Sequence, residues 1–184
     1  GSRGLGDVYK RQDQNTAAVC AYNGGTLENL TVAGSIEAKD FAAGIFAASL
    51  PMKEEDETLS KLVNHAKVTA DGTAAGIVAQ TKEKVLLEDC VNTGVIEAAV
   101  AAGITTAECE NLVLMRCQNY APIISSDNES YGITSNLTAN LTDCVGVSEN
   151  VYPIAADANE SENCLYFISG GEKLEDALLA DICD

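Results

Sequence analysis

The stretch Leu87-Glu88-Asp89-Cys90-Val91-Asn92-Thr93-Gly94-Val95, with Gly103-Ile104 downstream, decides the fold, because both of its marks recur in order along the chain. The first mark, Leu-x-x-(Leu or Cys), runs from Leu27 to Leu30, Leu59 to Leu62, Leu87 to Cys90, Leu114 to Cys117 and Leu141 to Cys144. The second, Gly-Ile, falls at Gly44-Ile45, Gly76-Ile77, Gly103-Ile104 and Gly132-Ile133, with a degenerate forerunner at Ala18-Val19. From the end of the first mark to the second the offsets are 14, 14, 13 and 15 residues, whereas whole copies step by 32, 28, 27 and 27. A near-constant offset inside a variable period confines insertions to one place per copy. The long first step is accounted for by a charged loop, Pro51 to Glu57.

Within a copy the apolar residues alternate as in a strand (Leu30, Val32, then Ile36), and Gly34, Gly72 and Gly94 stand where the chain must turn after the first strand. A unit of this length with two or three short strands cannot bury its own apolar face, but stacked on its neighbours it can. The expectation is an all-β chain, a right-handed parallel β-helix of about five rungs closed by a short C-terminal helix. A leucine-rich repeat also uses Leu-x-x-Leu, but it needs an apolar residue two positions on, where this chain has Asn64, Asn92 and Asn119. In a β-helix those three asparagines, preceded by Val32 and followed by Gly146, form one column whose amides hydrogen-bond along the axis.

The cysteines obey the same phase. Cys90, Cys117 and Cys144 are 27 residues apart, so they point the same way on successive rungs. Rungs about 4.8 Å apart with parallel Cβ vectors are too wide for the usual Cβ separation of about 3.8 Å in a disulfide, and a straight column offers zinc no tetrahedron. A buried thiol ladder is expected, with no metal and no cofactor. Cys20, Cys109, Cys164 and Cys183 show no metal spacing.

Composition narrows the partners. The chain of 184 residues carries 11 basic against 28 acidic residues, a net charge of −17. Such a surface repels nucleic acid and anionic membranes. No apolar run approaches the roughly 18 residues of a membrane span, so no membrane insertion is expected in this segment.

Glu88 to Val95 resembles the strand and turn of GLUG-motif repeats found in large bacterial surface proteins, and Tyr22-Asn23-Gly24-Gly25-Thr26-Leu27-Glu28-Asn29-Leu30 is similar to the linker between such repeats. The Gly-Ile marks are similar to the family's glycine-rich strand, with Ala often replacing Gly. The resemblance covers about residues 16 to 170 and implies an exported, extracellular or cell-surface module, without carrying over any catalytic residue. Residues 2–12, SRGLGDVYKRQ, match nothing else in the chain and resemble a translated transposon-tagging adapter. The expected organisation is therefore a non-native stretch over 1–12, a β-helix over 13–170 and an amphipathic cap or linker helix over 171–184. In that last segment Leu174, Ala177, Leu178 and Ile182 recur at helical spacing. Ala17 to Ala21 reads as the tail of a rung whose beginning is missing, so upstream and further downstream domains of a longer protein are expected.

Catalysis needs convergent groups, and the sequence supplies few. His65 is the one histidine, and Arg116 is the one arginine outside residues 2–12. Glu54, Glu55, Asp56 and Glu57 crowd one loop, where like charges are solvated and not paired. Asp127, Asn128 and Glu129 carry oxygen ligands but lack EF-hand or nonapeptide calcium spacing. The reading is a non-enzymatic structural or adhesive module of an exported bacterial cell-surface protein, with a protein or glycan ligand and no catalytic, cofactor or metal residues. The alternative is an accessory repeat segment of a larger surface peptidase or of a glycan-acting β-helix enzyme.

Overall fold

A computed structural model of the chain describes residues 3–5, 8–10, 15–19, 25–48, 57–81, 84–110, 112–147, 150–158 and 160–167. Among these residues there is no helix, and the strands pair in parallel into an eleven-stranded and a nine-stranded sheet. The stack is a β-solenoid of about four turns. Its register follows the first sequence mark: Leu27 pairs with Leu59, Leu59 with Leu87, Leu87 with Leu114, and Leu114 with Leu141. Those five leucines stand on five rungs with four full turns between them. The helix expected over 171–184 and the loop residues 51–56 lie outside the described residues, and Glu57 opens the strand Glu57–Asn64 instead of ending a loop.

The Leu-x-x-(Leu or Cys) mark has a backbone cause. In an uninterrupted strand residues three apart point to opposite faces. Here both point inward: Leu59 and Leu62, Leu87 and Cys90, Leu114 and Cys117, and Leu141 and Cys144 are all buried. The residue between resets the parity. Asn29, Lys61, Asp89, Arg116, Asp143 and Asn163 all have φ between 52° and 58°, one left-handed residue at the same corner of six successive levels. Asn and Asp accept this conformation better than other side chains do, and they hold four of the six corners.

After the corner the chain runs inward again through Val32, Asn64, Asn92, Asn119 or Gly146, turns, and enters the second sheet. Gly34 needs its glycine for a φ of 104°. Gly94 needs it for space, since a Cβ there would collide with the Ala66 carbonyl. Gly72 stands elsewhere than expected, at the next corner after the strand Lys67–Ala70, packed on the Asp40 carbonyl. The main core runs the length of the stack, and a smaller alanine cluster (Ala17, Ala43, Ala47, Ala75, Ala79) lies on the other side of the second sheet.

Residues 3–5 and 8–10 pair in parallel with Leu30–Val32 and Ser35–Glu37. The last coil is shorter than the rest: Leu141 pairs with Ser161, a step of 20 residues in place of 27.

Candidate functional site: interior ladders and outer faces

The asparagine column forms as expected. Asn64 Nδ2 donates to Asn92 Oδ1 at 2.8 Å, and Asn92 Nδ2 donates to Asn119 Oδ1 at 2.8 Å. Each amide also closes its own turn. Asn64, Asn92 and Asn119 donate to the carbonyls of Ala66, Gly94 and Ala121 at 3.0, 2.9 and 3.0 Å, and each Oδ1 accepts the N–H of that same residue. All three side chains are fully buried, so this pairing offsets a desolvation cost of about 1–3 kcal/mol for each group left unmade.

The two sequence marks are coupled through this column. A Cβ on Gly76 would meet the Gly103 carbonyl and stand 2.7 Å from Asn92 Oδ1; on Gly44 and Gly103 it would collide with Asn64 and Asn119. At Gly44, Gly76 and Gly103 the mark is therefore glycine because a carbonyl of the next coil and an asparagine side chain both press against it, and at Gly132 because the Pro153 carbonyl does. Sequence reasoning found both marks but not that contact.

The thiol column also forms, and it has a fourth member. Val91, Gln118, Val145 and Leu165 pair in succession, which stacks Cys90, Cys117, Cys144 and Cys164 immediately before them. All four are fully buried and free, Cys109 is buried apart from them, and Leu30 and Leu62 fill the same column earlier. Each thiol sits under its corner: Cys90 Sγ donates to the Glu88 carbonyl at 3.5 Å, Cys117 to Met115 at 3.6 Å, Cys144 to Thr142 at 3.5 Å and Cys164 to Glu162 at 3.6 Å. Burial pushes the Cys117 thiol well up. Cys164 escaped the sequence reading because its step is 20 residues, although Asn163-Cys164 echoes Asp143-Cys144 and Asp89-Cys90.

Sequence reasoning missed a further buried polar set on the third side. Thr105 and Thr134 stack in a parallel bridge, and their hydroxyls accept the N–H groups of Ala107 and Asn136 at 2.9 and 3.0 Å. Asn136 Nδ2 donates to the Ala107 and Cys109 carbonyls at 2.8 and 3.2 Å. The repeated Gly-Ile-Thr at Gly103 and Gly132 was the available signal.

Outside, the left-handed corners alternate in charge: Lys61, Asp89, Arg116, Asp143. Arg116 grips Asp89 with Nε to Oδ1 at 2.7 Å and Nη2 to Oδ2 at 3.2 Å, and reaches Glu88 at 3.5 Å. That grip holds the Asp89 carboxyl below its ordinary range and the guanidinium above its own. The one arginine outside residues 2–12 is thus engaged at a corner. His65 is exposed and hydrogen-bonded to Thr93 on the next coil. Ser125 Oγ accepts the N–H groups of Asp127 and Glu129 at 3.1 and 2.8 Å, and Ser126 to Asn128 form an exposed bulge where the strand Ile123–Tyr131 slips register against Ile96–Ala102. Among the described residues no three His, Cys, Asp or Glu side chains converge on a common metal position.

One outward stretch is more apolar than the coils beside it. Tyr120, Pro122 and Ile124 all face solvent, with Tyr120 48% and Ile124 46% exposed, while Ala121 and Ile123 between them are buried. On the preceding coil the same positions hold Thr93, Val95 and Glu97, and on the one before that His65, Lys67 and Thr69. A cleft of about 310 Å³ lies between Glu108–Glu110 and Ser135–Thr138, with Leu137 61% exposed on its lip. The Asn136 amide in that cleft is already committed to two carbonyls.

Among the described residues no helix is long and apolar enough to cross a membrane. No protein-family model matches the chain, and neither a curated protein nor a solved structure matches it.

Proposed function

We propose that this chain is a non-enzymatic, adhesive spacer module of an exported bacterial cell-surface protein, and that it engages a protein or glycan through the Tyr120-Pro122-Ile124 stretch. The observation that carries the reading is the contrast between the two sides of the wall. Inside, leucine, asparagine and cysteine each recur in register on successive coils. Outside, the repeat is kept at the charged corners but abandoned at Tyr120, Pro122 and Ile124, where an aromatic ring, a proline and a branched aliphatic side chain stand in water. Exposed aromatic and aliphatic groups at a rigid position are what binding hot spots are made of, because a tyrosine buries a large area at little entropic cost. The GLUG-like residues support export and a surface location, and the acidic exterior suits a partner that is not nucleic acid.

The test is retention of the labelled full chain on glycan arrays and on immobilised extracellular-matrix and bacterial surface proteins. The expected result is binding to one ligand class that Tyr120→Ala weakens at least tenfold, with the β-sheet circular dichroism unchanged. Binding that survives both Tyr120→Ala and Ile124→Ser overturns the assignment of this stretch. Turnover of a glycan or peptide by the purified chain overturns the non-enzymatic reading.

A further inference from the structure

We propose that the thiol column Cys90, Cys117, Cys144 and Cys164 is a site for soft monovalent d10 cations, copper(I) or silver(I), each held in line between the sulfurs of two adjacent coils. The inference stands apart from whatever the outer face binds. Four successive levels place a free, fully buried thiol at the same register. Each of the first three sulfurs also faces the coil before it, for the thiols of Cys90, Cys117 and Cys144 lie 3.7, 3.5 and 3.6 Å from the carbonyls of Leu59, Leu87 and Leu114. An apolar side chain would suffice to fill the slot, as Leu30 and Leu62 do earlier in the same column. Four thiols in line add a ligand set that leucine does not.

Geometry selects the ion. Neighbouring strands lie about 4.8 Å apart, which is wide for a disulfide and leaves a tetrahedral ion with two ligands and no others. Two metal–thiolate bonds of about 2.3 Å laid end to end span about 4.6 Å, close to the strand spacing. Soft cations favour thiolates, and a two-coordinate ion asks nothing of the apolar walls around it.

The charge balances without redox chemistry. Each interior sulfur bridges the ion above and the ion below, so four sulfurs hold three ions. Three monovalent cations replace three thiol protons, one S–H remains, and the column stays neutral. The metal keeps its oxidation state throughout, and the protons leave to solvent.

The test uses the full chain with Cys20, Cys109 and Cys183 changed to Ala, refolded from urea with silver(I) in chloride-free buffer. Bound ions are counted by native mass spectrometry, and circular dichroism is followed through thermal unfolding. The expected count is three, with the β signal intact and the melting temperature raised. Position then separates bridging from simple thiol titration. Cys90→Ala, at the end of the column, should leave two ions, whereas Cys117→Ala, in the middle, should leave only the one between Cys144 and Cys164. Equal losses from the two variants overturn the proposal, as does silver uptake that abolishes the β signal, or no uptake by protein that has refolded.

Discussion

The coils between Glu57 and Ala139 and the last coil, Asn140 to Phe167, are built from the same corner but finished differently. In the middle coils the asparagine column presses on the Gly-Ile strand, and the alanine row Ala43, Ala75 and Ala102 is continued by Tyr131. In the last coil Gly146 stands where an asparagine would, because the Pro153 carbonyl occupies the space of its side chain. Tyr152 stacks on Tyr131 with ring centroids 4.7 Å apart and planes 9° from parallel. Yet the corner persists: Asp143 and Asn163 keep the left-handed conformation, and Cys144 and Cys164 continue the thiol column. The invariant unit of this solenoid is thus the corner with its two inward residues, and the remaining sides adapt to the chain length available.

The largest effect should come from Gly76→Ala. The new methyl meets a carbonyl of the next coil and the Asn92 amide together, so both the backbone ladder and the side-chain ladder must give way. A loss of more than about 4 kcal/mol in urea unfolding is expected. A loss under about 1 kcal/mol would mean that the middle coils yield as readily as the last one adapts.

Breaking the asparagine column comes next. Asn92→Ala strips a donor from Asn119 Oδ1 and an acceptor from Asn64 Nδ2, and it empties the turn at Gly94, for an expected cost of about 3 kcal/mol. Asn119→Ala should cost less in the same measurement, because Gly146 stands on the coil above it. Equal costs would show that the ladder adds nothing beyond each local turn.

Lys61 is a corner residue without the side chain that best tolerates its backbone, unlike Asp143 and Asn163 in the last coil. Lys61→Asn should therefore stabilise the protein by up to about 1 kcal/mol in thermal unfolding.

The smallest effect is at Asp89. Its carboxyl is held below the ordinary range chiefly by the Arg116 hydrogen bonds, so the stabilisation is present above the unfolded pKa and lost as pH falls through the folded one. Asp89→Asn should be slightly less stable than the parent at neutral pH, with the gap closing in acid and in high salt. A gap that persists in acid would remove the ion pair as its cause.

Much of this was legible in the residues. The five leucines of the first mark pair in the order their spacing implies, and Asn64, Asn92 and Asn119 hydrogen-bond as their phase required. The exterior was less legible. Tyr120, Pro122 and Ile124 are ordinary strand residues by composition, and only the burial of Ala121 and Ile123 between them shows which way they face. Cys164 fell outside the repeat because a shortened coil breaks the period while preserving the register.

By itself the sequence determined that this chain stacks on itself and which residues share a column, because a repeat that cannot bury its own apolar face has only its copies to bury it against. Only the tertiary structure decided why the marks take the form they do. A left-handed residue at each corner turns both Leu and Cys inward, and glycine recurs because a carbonyl of the next coil, joined at three of the four copies by an asparagine amide, lies where its side chain would be. Both are contacts and dihedral angles that exist only once the coils are in place.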